Sequence, residues 1–329
     1  MKKILVVLVL LIAAYFLGPK PETPMLTPSA SWTDIPDSSR AIDAYIAEKE
    51  SKTVLKPGNE ARIIWADSAQ PKKTKIVFMY VHGFSASPME GDPLHREVAQ
   101  HFGANLLLAR VAGHGVPDSD STYATVTADE YYQSVENYYA IAKKLGDEVV
   151  VLGTSFGGAM SLVLAANHPE IKALMLYGPC IAIKDPNATL LDNPWGLQLA
   201  HLITGSNYRD IAVMAPGHAE NWSLHYRLEG VVAVQNLLTH AMTKEVFEKV
   251  KIPVFMGYYY KDEAHQDMVV SVDAMKVMFE QLGTPVGLKK SEAFPNSGNH
   301  VITSNLLGKL TDKPIASSEL FLRNVVKLN

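Results

Sequence analysis

Short apolar runs alternate with longer amphipathic segments over most of the chain. Several of the short runs are apolar throughout, which is typical of strands that are covered on both faces. We predict strands in ARIIWA (61–66), KIVFMYV (75–81), NLLLARV (105–111), EVVVLG (148–153), ALMLYG (173–178), PVFMGYYY (253–260) and VGLKKSEAF (286–294).

Several segments between these runs place apolar residues at helical spacing. Strands that alternate with helices form βαβ units, whose strands pair in parallel through right-handed crossovers. The predicted fold class is therefore α/β, with a mostly parallel central sheet flanked by helices, and we assign residues 41–180 and 250–329 to this core. The predicted helices are 94–102, 128–145, 156–167, 272–282 and 315–326.

Residues 181–249 interrupt the alternation, because they contain no convincing strand. They include Trp195 and Trp222 and show helical spacing in 196–203 and 228–238. An insertion of this size between two strands lies at the carboxyl edge of the sheet, where ligands bind in open α/β folds. We interpret it as a helical cap or lid, although a long crossover with packed helices has the same signature.

The chain begins with two lysines and an apolar run, Ile4 to Leu17, which together are typical of an export signal. As a helix this run is about 21 Å long, short of the roughly 30 Å hydrocarbon core of a bilayer. Tyr15 and Phe16 stand where a cleavage site needs small residues. Residues 1–18 are therefore expected to be a signal peptide or an uncleaved membrane anchor, with the body periplasmic or otherwise outside the cytoplasm.

The next segment, residues 19–40, is rich in proline and shows little apolar periodicity, which predicts an extended linker. Charge adds one exclusion: 30 basic and 34 acidic residues leave no electrostatic footprint for a nucleic-acid partner. Cys180 is the only cysteine, so an intramolecular disulfide is excluded.

Candidate chemistry centres on Ser155, in the sequence Gly153-Thr154-Ser155-Phe156-Gly157. The pattern G-x-S-x-G forms a nucleophile elbow when a buried strand precedes it and a helix follows, as predicted here. A serine needs a base to act as a nucleophile at neutral pH. His300 follows the last predicted strand and is our candidate for that base, while His265 and the histidines of the insertion are disfavoured.

The oxyanion of an acyl-transfer reaction needs preorganised N–H donors. The backbone N–H of Phe156 follows the nucleophile at a helix N-terminus and can supply one. The loop that begins His82-Gly83-Phe84 follows an early strand, and we expect the N–H of Phe84 to supply the second. His82 is expected to orient this loop and not to take part in catalysis.

These pieces together resemble the α/β-hydrolase family, and within it the serine carboxylesterases and monoacylglycerol-lipase-like members. The resemblance covers about residues 60–326 and implies the chain order serine, acid, histidine. It also implies that Arg110 and His114 shape the loop beside the oxyanion hole. A serine nucleophile argues against the dehalogenase and epoxide hydrolase branches. The matching pieces are HGF (82–84), RVAGHG (110–115), GTSFGG (153–158), the acidic loop after PVFMGYYY, and GNH ending at His300.

Two residues are candidates for the acid of the triad. Asp262 lies nearest the end of the strand PVFMGYYY, as the acid of the family usually does. Asp267 precedes MVVSV, and related hydrolases place such a valine pair and then a helix after the acid; Ser271 would be the N-cap of that helix. We favour Asp267 and keep Asp262 as the alternative.

The acidic segment YKDEAHQD (260–267) could also suggest a metal site, but no H-E-x-x-H pair accompanies it, and we expect neither a metal nor another cofactor. The predicted activity is hydrolysis of small, lipid-like carboxylic esters of apolar acyl groups through an acyl-enzyme. An acyltransferase, a thioesterase or a C–C hydrolase would use the same triad, and a fold that has lost activity is a third hypothesis. The apolar residues of the insertion favour an apolar acyl group. They are Leu197, Leu199, Leu202, Ile203, Trp222, Val232 and Leu237.

Overall fold

A seven-stranded sheet organises the protein, in a computed structural model that describes residues 2–309 and 312–329. Its strands are β1 (Arg62–Ile64), β2 (Thr74–Val81), β3 (Asn105–Leu108), β4 (Gly146–Thr154), β5 (Ala173–Tyr177), β8 (Val254–Tyr258) and β11 (Lys289–Ala293). Two separate pairs are formed by β6 (Tyr208–Asp210) with β7 (His225–Arg227) and by β9 (Tyr260–Asp262) with β10 (His265–Gln266). The strand order of the main sheet is β1-β3-β2-β4-β5-β8-β11. Strand β1 runs antiparallel to β3, and every other neighbouring pair in this sheet is parallel.

Helices cover both faces of this sheet. Short 3-10 turns occur at Pro88–Gly91, Pro186–Asp192 and Val286–Leu288. The α-helices are α1 (Lys2–Phe16), α2 (Ser39–Glu50), α3 (Leu94–His101), α4 (Ala128–Leu145), α5 (Phe156–Asn167), α6 (Gly196–Thr204), α7 (His218–Asn221), α8 (Leu228–Ala241), α9 (Lys244–Lys249), α10 (Val272–Gln281) and α11 (Asp312–Asn324).

The mostly parallel sheet with flanking helices confirms the predicted fold class. All seven predicted strands are present in the sheet, and the predicted helices agree within a few residues with α3, α4, α5, α10 and α11. Successive side chains of a strand point to opposite faces, and the two faces carry separate hydrophobic cores. Val77 and Val151 lie in the core under α4 and α5, while Phe78 and Val150 lie in the core under α3 and α11.

The insertion 181–249 differs from its prediction in two respects. It contains a short antiparallel pair of strands, β6 with β7, which the pattern of apolar residues did not indicate. Its last helices, α8 and α9, also contribute to the main core through Leu237 and Phe247, both almost fully buried. Helices α8 and α9 therefore belong to the layer of helices that covers the sheet, and the part of the insertion before α8 lies outside that layer.

Residues 19–38 of the predicted linker 19–40 lie outside the helices and strands, and they pack against the body. Three side chains on one face of α4 bind the main chain of this segment, since positions four apart share a helix face. Asp129 accepts from the N–H of Leu26 at 2.7 Å, Gln133 donates to the carbonyl of Ser29 at 2.7 Å, and Asn137 accepts from Ser31 at 2.7 Å. The segment thus forms a strap across α4.

Helix α1 projects an apolar surface into solvent, with Ile4 73% and Phe16 72% exposed. Within residues 2–309 and 312–329, we find no helix that is both long and apolar enough to span a membrane. Residue 1 of the predicted export segment and residues 310 and 311 of the predicted core lie outside the described residues.

Candidate active site

Ser155 occupies a sharp turn between the end of β4 and the start of α5. Its backbone has φ 52° and ψ −122°, a conformation that costs a non-glycine residue free energy and is typical of functional sites. The N–H of Ser155 donates to the carbonyl of Tyr177 at 3.0 Å, which holds the turn against β5. The chain approaches β2 so closely at Gly157 that a β-carbon there would lie 2.2 Å from the carbonyl oxygen of Val81. This turn therefore has the geometry of a nucleophile elbow.

His300 and Asp267 form a buried pair. Nδ1 of His300 lies 2.5 Å from Oδ2 of Asp267, and the Asp267 side chain is fully buried. The other oxygen, Oδ1, accepts the main-chain N–H groups of Val269 and Val270 at 2.8 and 3.0 Å. The valine pair after the acid therefore fixes the direction of the carboxylate, as the resemblance implied.

The alternative acid, Asp262, is wrong for this role. It lies on the surface and accepts from Nδ1 of His265 at 2.7 Å, whereas the carboxylate that pairs with His300 is that of Asp267. The residues between the end of β8 and Asp267 form the hairpin of β9 and β10, which projects outward before the chain returns. The N–H of Asp267 then donates to the carbonyl of Tyr259 at 3.2 Å, so the chain closes back on the strand end and the hairpin absorbs the extra residues.

Burial and charge act in opposite directions on this pair. Burial alone would lower the pKa of His300, but the neighbouring Asp267 carboxylate outweighs burial and raises that pKa above its ordinary value. Burial likewise opposes ionisation of Asp267, but the charge of His300 and its hydrogen bonds lower the pKa of the carboxyl group. The pair is therefore arranged to stabilise a proton on the imidazole ring.

The second nitrogen of His300, Nε2, is buried without a hydrogen-bond partner. The ring of His300 lies against Gly178, where a β-carbon would be 3.3 Å from the ring atom Nδ1. Ser155 is hydrogen-bonded to Tyr177, the residue before this glycine. Ser155 and His300 thus flank the same two residues at the end of β5. A buried Nε2 without a partner is free to accept a proton there.

The loop after β2 closes over the other side of Ser155. A β-carbon at Gly83 would lie 2.8 Å from the Ser155 Cβ, so the loop backbone passes directly beside the serine. Phe84 follows, and its ring packs on Tyr123 and Tyr226 with centroids 5.0 and 5.3 Å apart. Phe156 is the first residue of α5, where the N–H has no acceptor within the helix.

His82 and His114 are neutral residues that brace this loop. Nε2 of His82 accepts from the N–H of Val111 at 3.1 Å, and Nε2 of His114 accepts from the N–H of Ser85 at 3.0 Å. An accepting nitrogen carries no proton, and burial lowers the pKa of His82 to about 4. Burial also lowers the pKa of His114. The first bond joins the loop to Val111 in the segment after β3, and the second joins it to His114 in that same segment. Both bonds are consistent with the loop-shaping role expected of the two histidines.

Arg110 connects the segment after β3 to the N-terminal region. Its Nε and Nη2 donate to the carboxylate of Glu50 at 2.6 and 2.9 Å, while Nη1 donates to the carbonyl of His114 at 3.2 Å. Glu50 also accepts the N–H of Ala61 at 2.9 Å and the hydroxyl of Tyr138 at 3.0 Å. Sequence analysis missed Glu50. Helix α2, which carries Glu50, was not among the predicted helices, and no local pattern connects this residue to Arg110.

Sequence analysis also missed Glu90, a buried carboxyl group at the site. Its Oε2 accepts the N–H of Gly83 at 2.6 Å and lies 3.3 Å from the hydroxyl of Tyr80. The one signal in the sequence was an acidic residue seven positions after Gly83, in a loop otherwise made of small and apolar residues.

The apolar residues named in the insertion do not form one surface. Leu202 and Ile203 are 79% and 72% exposed, whereas Leu237 lies in the main core. Leu197 and Val232 line a cavity of about 380 Å³ between the insertion, the start of α4 and the strap. Ser155 does not line this cavity. Among the described residues, no group of three metal-ligating side chains converges. Residues 260–266 of the acidic segment form the surface hairpin, and only Asp267 turns into the site.

Comparison with known proteins places most of the core in one family. The profile of the family described as "Serine aminopeptidase, S33" matches residues 72–289, more than half of the chain. A thermostable monoacylglycerol lipase of Bacillus sp. (strain H-257) is 34% identical over 105 residues, which are 32% of this chain and 41% of that protein. The match thus spans less than half of the length of this relative.

Solved structures agree on the fold. A chain from work on LipS and LipT, two metagenome-derived lipolytic enzymes, superposes with a TM-score of 0.63 at 22% identity, covering 82% of this chain and 99% of that chain. The monoacylglycerol lipase of Paleococcus ferrophilus gives 0.58 at 14% identity, covering 82% and 98%. At these identities the likeness shows the fold alone. Together with the family match, it establishes that the chain belongs to the serine aminopeptidase S33 family of α/β-hydrolases.

Proposed function

We propose that this protein is a serine esterase that cleaves carboxylic esters of apolar acyl groups through an acyl-enzyme on Ser155. The observation that carries the proposal is the buried pair of His300 and Asp267, 2.5 Å apart, beside the strained turn of Ser155. A serine, a base with a free ring nitrogen and an orienting carboxylate are the groups that nucleophilic acyl transfer requires.

In the proposed acylation step, Ser155 Oγ attacks the ester carbonyl carbon and its proton passes to Nε2 of His300. The N–H groups of Phe84 and Phe156 stabilise the oxyanion, and Asp267 stabilises the imidazolium. The C–O bond to the alcohol then breaks, and His300 protonates the departing oxygen. In deacylation, His300 takes a proton from water, whose oxygen attacks the acyl carbon. The bond between that carbon and Ser155 Oγ then breaks, His300 returns the proton to Oγ, and the acid is released.

The proposed substrate class is a lipid-like ester with one apolar acyl chain. The relative from Bacillus sp. is named a monoacylglycerol lipase, which supports this choice. Phe84, on the loop beside Ser155, packs against Tyr123, Tyr226 and Tyr131. An apolar acyl group gains free energy against such an aromatic wall.

The test combines covalent labelling with turnover of p-nitrophenyl esters from two to sixteen carbons and of monoacylglycerols. A fluorophosphonate should label the purified protein once, and Ser155→Ala should abolish labelling and lower turnover by several orders of magnitude. Ser291→Ala, at an exposed serine of β11, is the matched control and should change neither. Labelling that persists in Ser155→Ala would remove Ser155 from the nucleophile role.

We propose further that residues 181–249 act as a cap over the site. The N–H of Ser223 donates to the carbonyl of Ser85 at 2.7 Å, and Tyr226 packs on Phe84. This segment therefore directly contacts the loop after β2 that carries Phe84, which we call the oxyanion loop. Shortening the loop 211–217, which lies between β6 and α7, should alter KM for long acyl chains more than for acetate esters. An equal effect on all chain lengths would argue against a cap.

We also propose that residues 1–18 direct export, as a signal peptide or as a membrane anchor that leaves the body outside the cytoplasm. Two lysines before an apolar run support this proposal. A fusion of residues 1–40 to a reporter that is active only outside the cytoplasm should give signal, and Leu8→Arg in the apolar run should abolish it. Retention of the intact fusion in the cytoplasm would overturn the proposal.

A further inference from the structure

Glu90 is a carboxyl group buried against the nucleophile, and neither the elbow nor the histidine pair accounts for it. It is only 2% exposed and lies in the 3-10 turn Pro88–Gly91. Its Oε1 and the Ser155 Cβ each lie 2.8 Å from the point where a β-carbon at Gly83 would stand. The two atoms are therefore no more than about twice that distance apart. Burying a carboxyl group in such a place costs free energy unless the group is hydrogen-bonded or paired with an opposite charge.

The carboxyl group of Glu90 holds the oxyanion loop. Its Oε2 accepts the N–H of Gly83 at 2.6 Å, a short hydrogen bond. Because Gly83 immediately precedes Phe84, this bond fixes the peptide plane next to the expected oxyanion donor. The hydroxyl of Tyr80 lies 3.3 Å from the same oxygen and 3.0 Å from Thr154 Oγ1, which connects Glu90 to the end of β4.

The main chain of Glu90 is joined to the loop that carries His300. Thr303 Oγ1 donates to the carbonyl of Glu90 at 2.6 Å, and Pro93 forms a bridge with Ser304. Glu90 therefore contacts the loops on both sides of Ser155, the one with the oxyanion donor and the one with the base.

Charge links the same groups. Burial raises the pKa of Glu90 to about 7, against the Gly83 hydrogen bond and the charge of His300. Reciprocally, the charge of Glu90 acts with that of Asp267 to raise the pKa of His300. The titratable groups around the carboxyl group are Tyr80 of β2, His95 of α3 behind Tyr80, and the pair of His300 and Asp267. Burial lowers the pKa of His95 to about 4, so this ring stays neutral at the pH of the assays below.

We propose that Glu90 is a positioning residue of the site, which fixes the oxyanion loop through Gly83 and places a second negative charge near the imidazolium of His300. The inference rests on the proposed function, because it needs His300 to act as the base. When His300 takes the proton of Ser155, the ionised Glu90 stabilises the positive ring together with Asp267. Ionised Glu90 thereby makes His300 a stronger base, so activity depends on the state of a group that touches no substrate.

The test is Glu90→Gln, which keeps the shape and the acceptor for the Gly83 N–H and removes the charge. Loss of a nearby negative charge lowers the pKa of His300, so the acidic limb of kcat/KM should move to lower pH by about one unit. The plateau value of kcat should fall about three- to tenfold, with little change in KM. Glu97→Gln, at an exposed carboxylate of α3, removes the same charge elsewhere and should leave the profile unchanged.

A structural role alone would give a different result. If Glu90→Gln lowers the melting temperature and activity but leaves the acidic limb at the wild-type pH, the charge has no part in catalysis and the proposal fails. An equal shift in Glu97→Gln would also overturn it, because the effect would then come from net charge. Fluorophosphonate labelling separates this failure from failure of the proposed function, since Glu90→Gln should still be labelled at Ser155.

Tyr80→Phe gives a second test that keeps Glu90 in place, should Glu90→Gln fail to fold. Removing a donor to the carboxylate raises the pKa of Glu90, so less of it is ionised at pH 7. Activity lost at pH 7 should return as the pH is raised towards 9. A loss that is the same at every pH would contradict the proposed role of the charge.

Discussion

The carboxylate of Asp267 lies 2.5 Å from Nδ1 of His300, and both side chains are closed off from solvent. This contact orients the ring so that Nε2 faces away from the acid. Asp267→Asn should therefore lower kcat by about 10⁴, as loss of the correct tautomer does in such triads. Asp262→Asn is the matched control on the hairpin and should retain most activity. Equal losses in the two variants, measured as kcat with a p-nitrophenyl ester, would contradict the assignment.

The pH dependence of catalysis follows from the raised pKa of His300. The base must be neutral to accept a proton, so kcat/KM should fall as the pH decreases through a midpoint above the ordinary value of about 6.5. In Asp267→Asn the raising charge is lost and burial still acts, so the midpoint of the residual activity should move to lower pH. A midpoint that stays in place would show that another group titrates.

The two residues of this pair stabilise the fold over different pH ranges. The lowered pKa of Asp267 stabilises the fold above the ordinary pKa of an aspartate, and this contribution is lost as the pH falls through its folded value. The raised pKa of His300 stabilises the fold below the ordinary pKa of a histidine, and this contribution is lost as the pH rises through its folded value. Urea unfolding of wild type and His300→Gln should therefore differ more at pH 6 than at pH 9.

The close approach of Gly83 to the serine predicts a local steric effect. A methyl group at this position would lie 2.8 Å from both the Ser155 Cβ and Glu90 Oε1, so Gly83→Ala must displace the oxyanion loop. We expect kcat to fall about 10²- to 10³-fold, the cost of losing one oxyanion donor. In Gly287→Ala, a β-carbon would meet nothing within 4 Å, and turnover should be unchanged. Circular dichroism should show both variants folded.

The ion pair of Glu50 and Arg110 joins α2 to the loop beside the site. Glu50→Gln leaves Arg110 largely buried without its anion, which should lower the free energy of unfolding by about 3 to 5 kcal/mol. Glu48→Gln, on the same helix, breaks only an exposed pair with Lys52 and should cause no measurable change. Chemical denaturation of both variants gives the comparison. Similar midpoints would show that the buried pair contributes nothing.

The strap predicts that two N-terminal truncations behave differently. Trp32 packs edge-on against Tyr45 and Tyr138, with centroids 6.0 and 5.3 Å apart, and the strap satisfies polar groups of α4. Removal of residues 1–18 should leave the melting temperature unchanged, whereas removal of residues 1–38 should lower it and expose the face of α4. Trp32→Ala should cost about 2 kcal/mol on its own. A full truncation as stable as the shorter one would show that the strap binds too weakly to matter.

The elements that the sequence analysis found are those that local patterns specify. An apolar strand, two glycines and a helix predict the elbow. The valines that bind the carboxylate of Asp267 predict the position of that residue. The roles of Glu90 and Glu50 depend on contacts between residues far apart in the chain, and no periodicity reports such contacts. The strands β6 and β7 were missed because three residues each are too few to show alternation.

The strap also limits how far the body can stand from its own N-terminal helix. Trp195 of the insertion 181–249 donates from Nε1 to the carbonyl of Ala14 at 3.0 Å and from its main-chain N–H to the carbonyl of Pro19 at 2.8 Å. Twenty residues without contacts to the body would form a long, flexible tether, but here residues 19–38 are bound along α4. If α1 is held in a membrane, the body therefore lies directly at the bilayer surface. The edge of the insertion near Trp195 then faces the lipid, and the body can rotate only a little relative to α1.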